Sequence, residues 1–192
     1  ASQNVQFASL NAVDTLTIQE VKQLIPNGVT LVEYYYDPNH LYIWTIDNKQ
    51  HRFLKKDILN SELEKLVKAY RYHVFEGTKI RGLKSVKAGE KRLPDRKSRF
   101  EEVNNALKSI LLDGAFNGIN SEKVYIVPHG ILHYLPFQML TYNSDYLIKK
   151  YQIGYIPSAT ALKYVLAKRK KKSINLLALG NPALNTPQRS EE

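Results

Sequence analysis

Residues 123–140 read Lys-Val-Tyr-Ile-Val-Pro-His-Gly-Ile-Leu-His-Tyr-Leu-Pro-Phe-Gln-Met-Leu. Val124 to Val127 form a short β-branched and aromatic run that stops at Pro128, the pattern of a buried strand running into a turn. The strand therefore delivers His129 and Gly130 at its end, where a glycine permits a backbone conformation or a close approach that a side chain would block. His133, Pro136 and Phe137 follow at once, so two imidazoles stand among groups that otherwise belong in a core.

Working outward, Gly114 and Gly118 lead into this strand from a helix resuming near Phe100, with Val103, Leu107, Ile110 and Leu111 on its apolar face. An earlier helix starts near Leu59, with Leu63, Leu66, Val67, Tyr70 and Val74 at spacings of three and four. Asn60 or Ser61 is expected to cap it, with Glu64 completing a capping box if Ser61 is the cap, and Gly77 is expected to end it. Between the two helices, residues 78–97 lose all periodicity and carry eight basic against two acidic residues. That composition reads as a basic loop, and as a place where proteases would nick the chain.

Toward the amino terminus, Thr30 to Tyr36, His40 to Ile46 and Gln50 to Leu54 are strand-like, joined by Asp37-Pro38-Asn39 and Asp47-Asn48-Lys49. Short runs and tight turns of this kind predict an antiparallel meander. Trp44 and the tyrosines at 34–36 read as core and cross-strand packing. Leu16 to Ile25 has helical spacing, with Thr17 a cap and Glu20 its capping-box partner, and Pro26-Asn27-Gly28 ends it. Residues 1–28 read as an approach segment, and the first residue is not Met, which suggests an excised piece.

On the carboxyl side, a short run at Tyr146-Leu147-Ile148 precedes a strand over Tyr151 to Ile156. Pro157-Ser158-Ala159-Thr160 is a strand-to-helix junction with Ser158 as cap, and Leu162 to Ala167 begin the helix. Five consecutive basic residues at 168–172 close it, where positive charge complements the helix dipole. Ile174 to Leu179 is a further buried-type strand that turns at Gly180-Asn181-Pro182. Strand, helix and strand at this spacing predict parallel pairing in an α/β sheet.

Composition bounds the function. With 192 residues, 43% of them hydrophobic and 24% charged, the chain is long enough for one good core. It has no apolar run near the roughly 18 residues of a membrane span and no signal-peptide pattern, which predicts a soluble, cytoplasmic protein without a membrane partner. Cysteine is absent, which excludes a disulfide framework, a thiolate metal site and a cysteine nucleophile within the chain. The loop at 78–97 is net +6 and the run at 168–172 adds +5, so the rest of a chain of net charge +10 is close to neutral. Nucleic-acid modules interleave basic residues with exposed aromatics on one surface. Charge confined to one loop and one helix end argues against that class, while leaving the loop as its place if it exists.

Five pieces, in order, resemble one family. They are Leu31-Val32-Glu33-Tyr34-Tyr35, the stretch from Ile126 to Leu140, Tyr146-Leu147-Ile148, Ile153 to Ala159, and Leu177 to Pro182. Together they are similar to the amino-terminal half of a CHAT domain, the caspase- and separase-related peptidase module commonly found after tetratricopeptide repeats. The likeness covers roughly residues 16–187. It implies an α/β fold, a caspase/separase-like sheet with flanking helices, incomplete, preceded by the antiparallel meander. It also implies an approach segment at 1–28, following helical repeats; the half-domain at 29–187; and a tail at 188–192.

The implied activity is that of a cysteine endopeptidase with a His-Cys dyad, no metal and no bound cofactor, acting on a protein substrate. In that chemistry a thiolate attacks the scissile carbonyl, an imidazole handles the proton and backbone N–H groups stabilise the oxyanion. The family carries its catalytic histidine in a later His-Gly motif and its cysteine in a Ser-Ala-Cys motif beyond that, and neither is found here. The resemblance therefore implies that this chain supports a catalytic carboxyl-terminal half, in the same or a cleaved chain, and contributes no catalytic residue. The alternative is a catalytically dead adaptor whose basic loop binds an acidic protein or RNA.

His129-Gly130 could be a general base awaiting a nucleophile, or a structural turn with the imidazole bonded to backbone. The turn is favoured, because His129 has no thiol or nucleophile elbow to activate. A metal site at His129 and His133 lacks a third ligand at a helpful spacing. His40, His51 and His73 fall in turn, strand and helix contexts and read as surface or packing residues. Pro128, Pro136, Phe137, Pro157, Ser158, Gly180, Asn181 and Pro182 complete the family motifs, in structural roles.

Overall fold

The structure, a computed structural model, describes residues 15–76 and 96–168. Most of the basic loop, the run at 169–172, the strand expected at 174–179, Gly180-Asn181-Pro182 and the tail lie outside the described residues.

Helix α1, Ile18–Leu24, starts as its sequence directs. The Thr17 hydroxyl accepts from the Glu20 N–H at 3.3 Å, and the Glu20 carboxylate accepts from the Thr17 N–H at 2.7 Å. These bonds hold the Glu20 carboxyl below its ordinary pKa. Thr17→Ala removes one half of the box and is expected to cost about 1 kcal/mol in urea denaturation.

Strands β1 (Val29–Tyr36), β2 (His40–Ile46) and β3 (His51–Asp57) form the expected meander, pairing antiparallel. Each turn is closed by its aspartate. Asp37 accepts from the N–H groups of Asn39 and His40 at 2.8 and 2.7 Å, and Asp47 accepts from those of Lys49 and Gln50 at 2.7 Å each. Strand β3 runs three residues further than its apolar pattern because its cations have destinations on a neighbouring layer. Lys56 donates to the carbonyls of Ser109 and Asp113, and Arg52 donates to those of Gly114 and Asn117, at 2.6 to 2.9 Å. These carbonyls lie in and just after a π-helical turn, where unpaired acceptors favour positive charge.

Helix α2, Asn60–Arg71, departs from the expected capping. Leu59 stands at the cap without a side-chain bond, Asn60 lies inside the helix with its side-chain oxygen unpaired, and Glu64 pairs with Lys68 at 3.0 Å. The β1–β2 turn supplies what the cap does not: Ile58 and Asn60 donate their N–H groups to the carbonyls of Asn39 and Pro38 at 3.0 Å. A π-helical turn over Tyr72–Glu76 carries the chain toward Gly77, which lies outside the described residues. Helix α3, Arg96–Leu107, begins four residues before Phe100 and runs into the π-helical turn Lys108–Leu112.

Strand β4, Lys123–Val127, is buried on both faces beyond its first residue, as its uninterrupted apolar run requires. Two short 3₁₀ turns follow, Gly130–Tyr134 and Phe137–Met139, then a hairpin of β5 (Thr141–Tyr142) and β6 (Asp145–Tyr146). The run at 146–148 is thus the end of that hairpin and the start of helix α4, Leu147–Lys150. Strand β7 (Gln152–Tyr155) and helix α5 (Ala159–Lys168) complete the described chain, and the Ser158 hydroxyl accepts from the Ala161 N–H at 3.1 Å as a cap should.

The sheet order is β3-β2-β1-β4-β7, with β1, β4 and β7 parallel. The meander and the α/β part therefore share one mixed sheet, the α/β architecture with flanking helices that the resemblance implied. Val32, Tyr34, Val124 and Ile126 face a large core under α2, α3 and the segment 130–151, while Leu31, Ile46, Tyr125 and Val127 face a smaller one under α1 and α5. Among the described residues no helix is long and apolar enough to cross a membrane.

Candidate functional site

Parallel strands in an α/β sheet present their carboxyl ends to one side, and loops there carry the residues a site can use. Here β1, β4 and β7 end on Tyr36, Val127 and Tyr155, with His129 and Gly130 just beyond β4.

His129 is partly buried between two tyrosines. Its ring centre lies 4.6 Å from that of Tyr35 and 4.9 Å from that of Tyr36, the latter edge-on. The Tyr36 N–H donates to its Nδ1 at 3.5 Å. Receiving that proton requires Nδ1 to be bare, which puts the remaining ring proton on Nε2. Burial holds the imidazole below its ordinary pKa, and nearby His133 pushes it further down. The unfolded chain thus binds this proton more readily than the folded one. The stabilisation is full above the ordinary value of 6.5 and is lost as pH falls through the folded value. A His129→Gln variant is accordingly expected to lose less thermal stability than the parent between pH 7.5 and pH 5, measured by circular dichroism melts.

Gly130 has φ of +52°, and a Cβ built there would fall 2.1 Å from the Tyr36 hydroxyl. That hydroxyl accepts from the Ile131 N–H at 2.8 Å. The glycine thus admits the tyrosine that anchors the following turn.

Pro128 is buried, His133 is exposed on the first 3₁₀ turn, and Phe137 is fully buried against Tyr34 with ring centres 5.1 Å apart. Tyr155, the last residue of β7 and paired in register with Ile126 of β4, accepts from the Phe137 N–H at 3.0 Å and donates to the Gln138 side chain at 2.5 Å. It straps the Pro136-Phe137 turn to the sheet. Just below, Gly154 faces Tyr125 in register, and a Cβ there would stand 2.8 Å from that ring. Pro157 is exposed after β7, and Ser158 caps α5.

The fold gathers His129, Gly130, Phe137 and the two strand-end tyrosines at one end of the sheet and leaves Ser158 at the α5 start. Among the described residues no hydroxyl donates to His129 and no three His, Asp or Glu side chains converge as metal ligands. What the arrangement does chemically is hold an imidazole, its pKa lowered by burial, between aromatic rings and fix two turns. Tyr36 and Tyr155 were assigned no site role from sequence. Their signal was position, the last residue of a strand, but nothing local distinguishes a strand-end tyrosine that packs from one that straps a distant turn.

Glu33 is a second unanticipated group. It sits on the α1 side of β1, partly buried opposite Trp44, and burial raises its carboxyl above the ordinary pKa.

Residues 101–191 match the family model of the CHAT domain, which points to a caspase-like peptidase family and covers every family motif from Pro128 to Pro182. The meander lies before the matched residues. No curated protein matches the chain. Among solved structures, a crystal structure of the apo psk41 ParM protein is similar at 9% identity, over 80% of this chain and 49% of that one. The chain thus spans about half the length of that protein, and a TM-score of 0.32 carries no weight for fold or function.

Proposed function

With a CHAT match across residues 101–191 as premise, we propose that this chain is the amino-terminal, non-catalytic part of a CHAT-family cysteine endopeptidase. It supports a catalytic half that carries the His-Cys dyad. The observation that carries this reading is the state of His129. His129, just beyond the end of β4, lies between the tilted ring of Tyr35 and the edge-on ring of Tyr36, accepts from the Tyr36 N–H, and belongs to a chain without cysteine. A peptidase of this kind needs its thiolate and imidazole elsewhere.

The sheet edge supports the same reading. Among the described strands β7 pairs on one side only, and a cleft of about 820 Å³ runs beside it, lined by Ile148, Ile153, Gly154 and Tyr155. A sheet continued by further strands would occupy that edge. The partners under this reading are the catalytic half, a protein substrate and a helical-repeat region, and the compartment is the cytoplasm.

The test is reconstitution. The protein expressed from its full gene is expected to cleave protein substrate, to lose cleavage when a cysteine outside these 192 residues is replaced, and to keep its kcat in the His129→Gln variant. Cleavage by this chain alone would overturn the reading. So would loss of kcat in His129→Gln without loss of stability.

A second reading rests on the net charge of +6 over residues 78–97. In it the chain is an adaptor without catalysis that binds RNA or an acidic protein through those residues. A salt-sensitive RNA shift lost on neutralising Lys84, Lys87, Lys91 and Arg92 would favour it, whereas a shift insensitive to both would exclude it.

A further inference from the structure

We propose that the groove between α1 and the sheet, with Glu33 on its floor and Tyr35 and Trp44 on its walls, is a binding site for an alkylammonium cation. The groove holds about 330 Å³ and is closed by Leu16 and Val21 from the α1 side and by Ala159 at the start of α5. Among the described residues every other part of its lining is apolar or aromatic, and the carboxylate of Glu33 is the single charge they bring to it.

A partly buried carboxylate in such surroundings needs a partner, because burying an uncompensated charge is costly and such groups are found paired. Among the described residues no donor or cation partners the Glu33 carboxylate. The other buried or turn carboxylates are treated differently: Asp37 and Asp47 each accept two backbone N–H groups. Glu33 is thus an acceptor without a donor, and its raised pKa is what an unanswered carboxylate in this groove would show.

The walls select the kind of cation. Trp44 lies directly across from Glu33 in the β1–β2 register, and Tyr35 follows two residues along the same face, half exposed at 48%. Ring faces attract cations and do so best for soft, weakly hydrated ones, the chemistry by which aromatic walls hold quaternary and substituted ammonium groups. Both rings are fixed. Trp44 packs against Tyr42 and Phe53 at 6.2 and 5.2 Å between centres, and Tyr35 against His129 at 4.6 Å. An alkylammonium would lay its methylenes along Leu16 and Val21 and point its head at Glu33. A hydrated sodium ion gains nothing from such walls, and a neutral alcohol gains nothing from the carboxylate.

The sequence supplies the reporter, since Trp44 is its single tryptophan. The experiment follows Trp44 emission of the full chain during titration with tetramethylammonium chloride and n-butylammonium chloride, against sodium chloride at equal ionic strength and against 1-butanol. A saturable change with both ammonium salts is expected, with none from sodium chloride or butanol. Glu33→Gln keeps the side-chain shape while removing the charge. It is expected to weaken ammonium binding at least about tenfold, as loss of a charged hydrogen-bond partner does, with a melting temperature no lower than that of the parent. An equal response to sodium chloride or to butanol overturns the proposal, as does unchanged binding in Glu33→Gln. The peptide Ac-Gly-Lys-Gly-NH2 separates the two sources of such a cation. Tighter binding than n-butylammonium identifies a lysine side chain of a polypeptide, and weaker binding a free amine. None of these readouts involves peptidase activity, so the site stands or falls apart from the reading of the chain as part of a protease.

Discussion

Replacing Gly130 by alanine is expected to destabilise the protein by about 3 kcal/mol. Three costs combine. A residue with a Cβ at φ of +52° is strained by roughly 1 kcal/mol. The new methyl carbon would lie 2.1 Å from the Tyr36 hydroxyl and 2.7 Å from the ring carbon bearing it, so the tyrosine must move. Its movement breaks the bond from the Ile131 N–H, worth about 1 kcal/mol, and overpacking adds about as much again. The melting temperature should fall by roughly 6 to 12 °C for a chain of this size. A double-mutant cycle isolates the cause. Tyr36→Phe alone should cost about 1 kcal/mol, and its combination with Gly130→Ala should cost at least ~1 kcal/mol less than the sum, because both changes lose the same Ile131 bond and the first also removes the nearest of the clashing atoms. Additive effects would show that the clash is not what fixes this glycine.

Phe137→Ala is expected to cost about 4 kcal/mol, within the range of 3–5 kcal/mol for emptying a buried aromatic site. Phe137 is fully buried, meets Tyr34 at 5.1 Å and Tyr155 at 6.4 Å, and belongs to the large core that joins α2 and α3 to the sheet. Neither neighbour can collapse into the void. Tyr34 is tethered by donating to the Leu111 carbonyl at 3.0 Å, and Tyr155 by its two bonds to the Phe137-Gln138 turn. Against total stabilities of about 5–15 kcal/mol, the loss brings the protein near its unfolding threshold. Urea denaturation followed by near-ultraviolet circular dichroism reads it directly. Phe137→Leu, which keeps most of the volume, should cost under about 1.5 kcal/mol. Similar effects from both variants would mean that the site tolerates a cavity.

The two residues were legible to different degrees. Phe137 reads as core from its place in an apolar run after a strand. Gly130 reads as a turn glycine, but the tyrosine that requires it lies 94 positions earlier, and no local pattern pairs them. The same holds for His129: a structural turn with the imidazole bonded to backbone was expected, but which backbone was not readable, and Tyr36 N–H is the donor.

What the sequence alone determined is local. Thr17 and Ser158 cap their helices, Asp37 and Asp47 close their turns, and the unbroken apolar run at 124–127 is buried on both faces, because each signal acts within about four residues or within one strand. Where local signals competed with distant ones, tertiary structure decided. Ser61 could have capped α2, yet the β1–β2 turn offers its carbonyls to Ile58 and Asn60 and moves the helix start back to Asn60. Only the tertiary structure put β1 beside β4 in parallel, merging the meander and the α/β unit into one sheet and leaving Glu33 in a groove under α1. A strand's pattern states which faces must be buried; which strand lies beside it depends on burying the apolar surface of the whole chain at once, a condition no single segment contains.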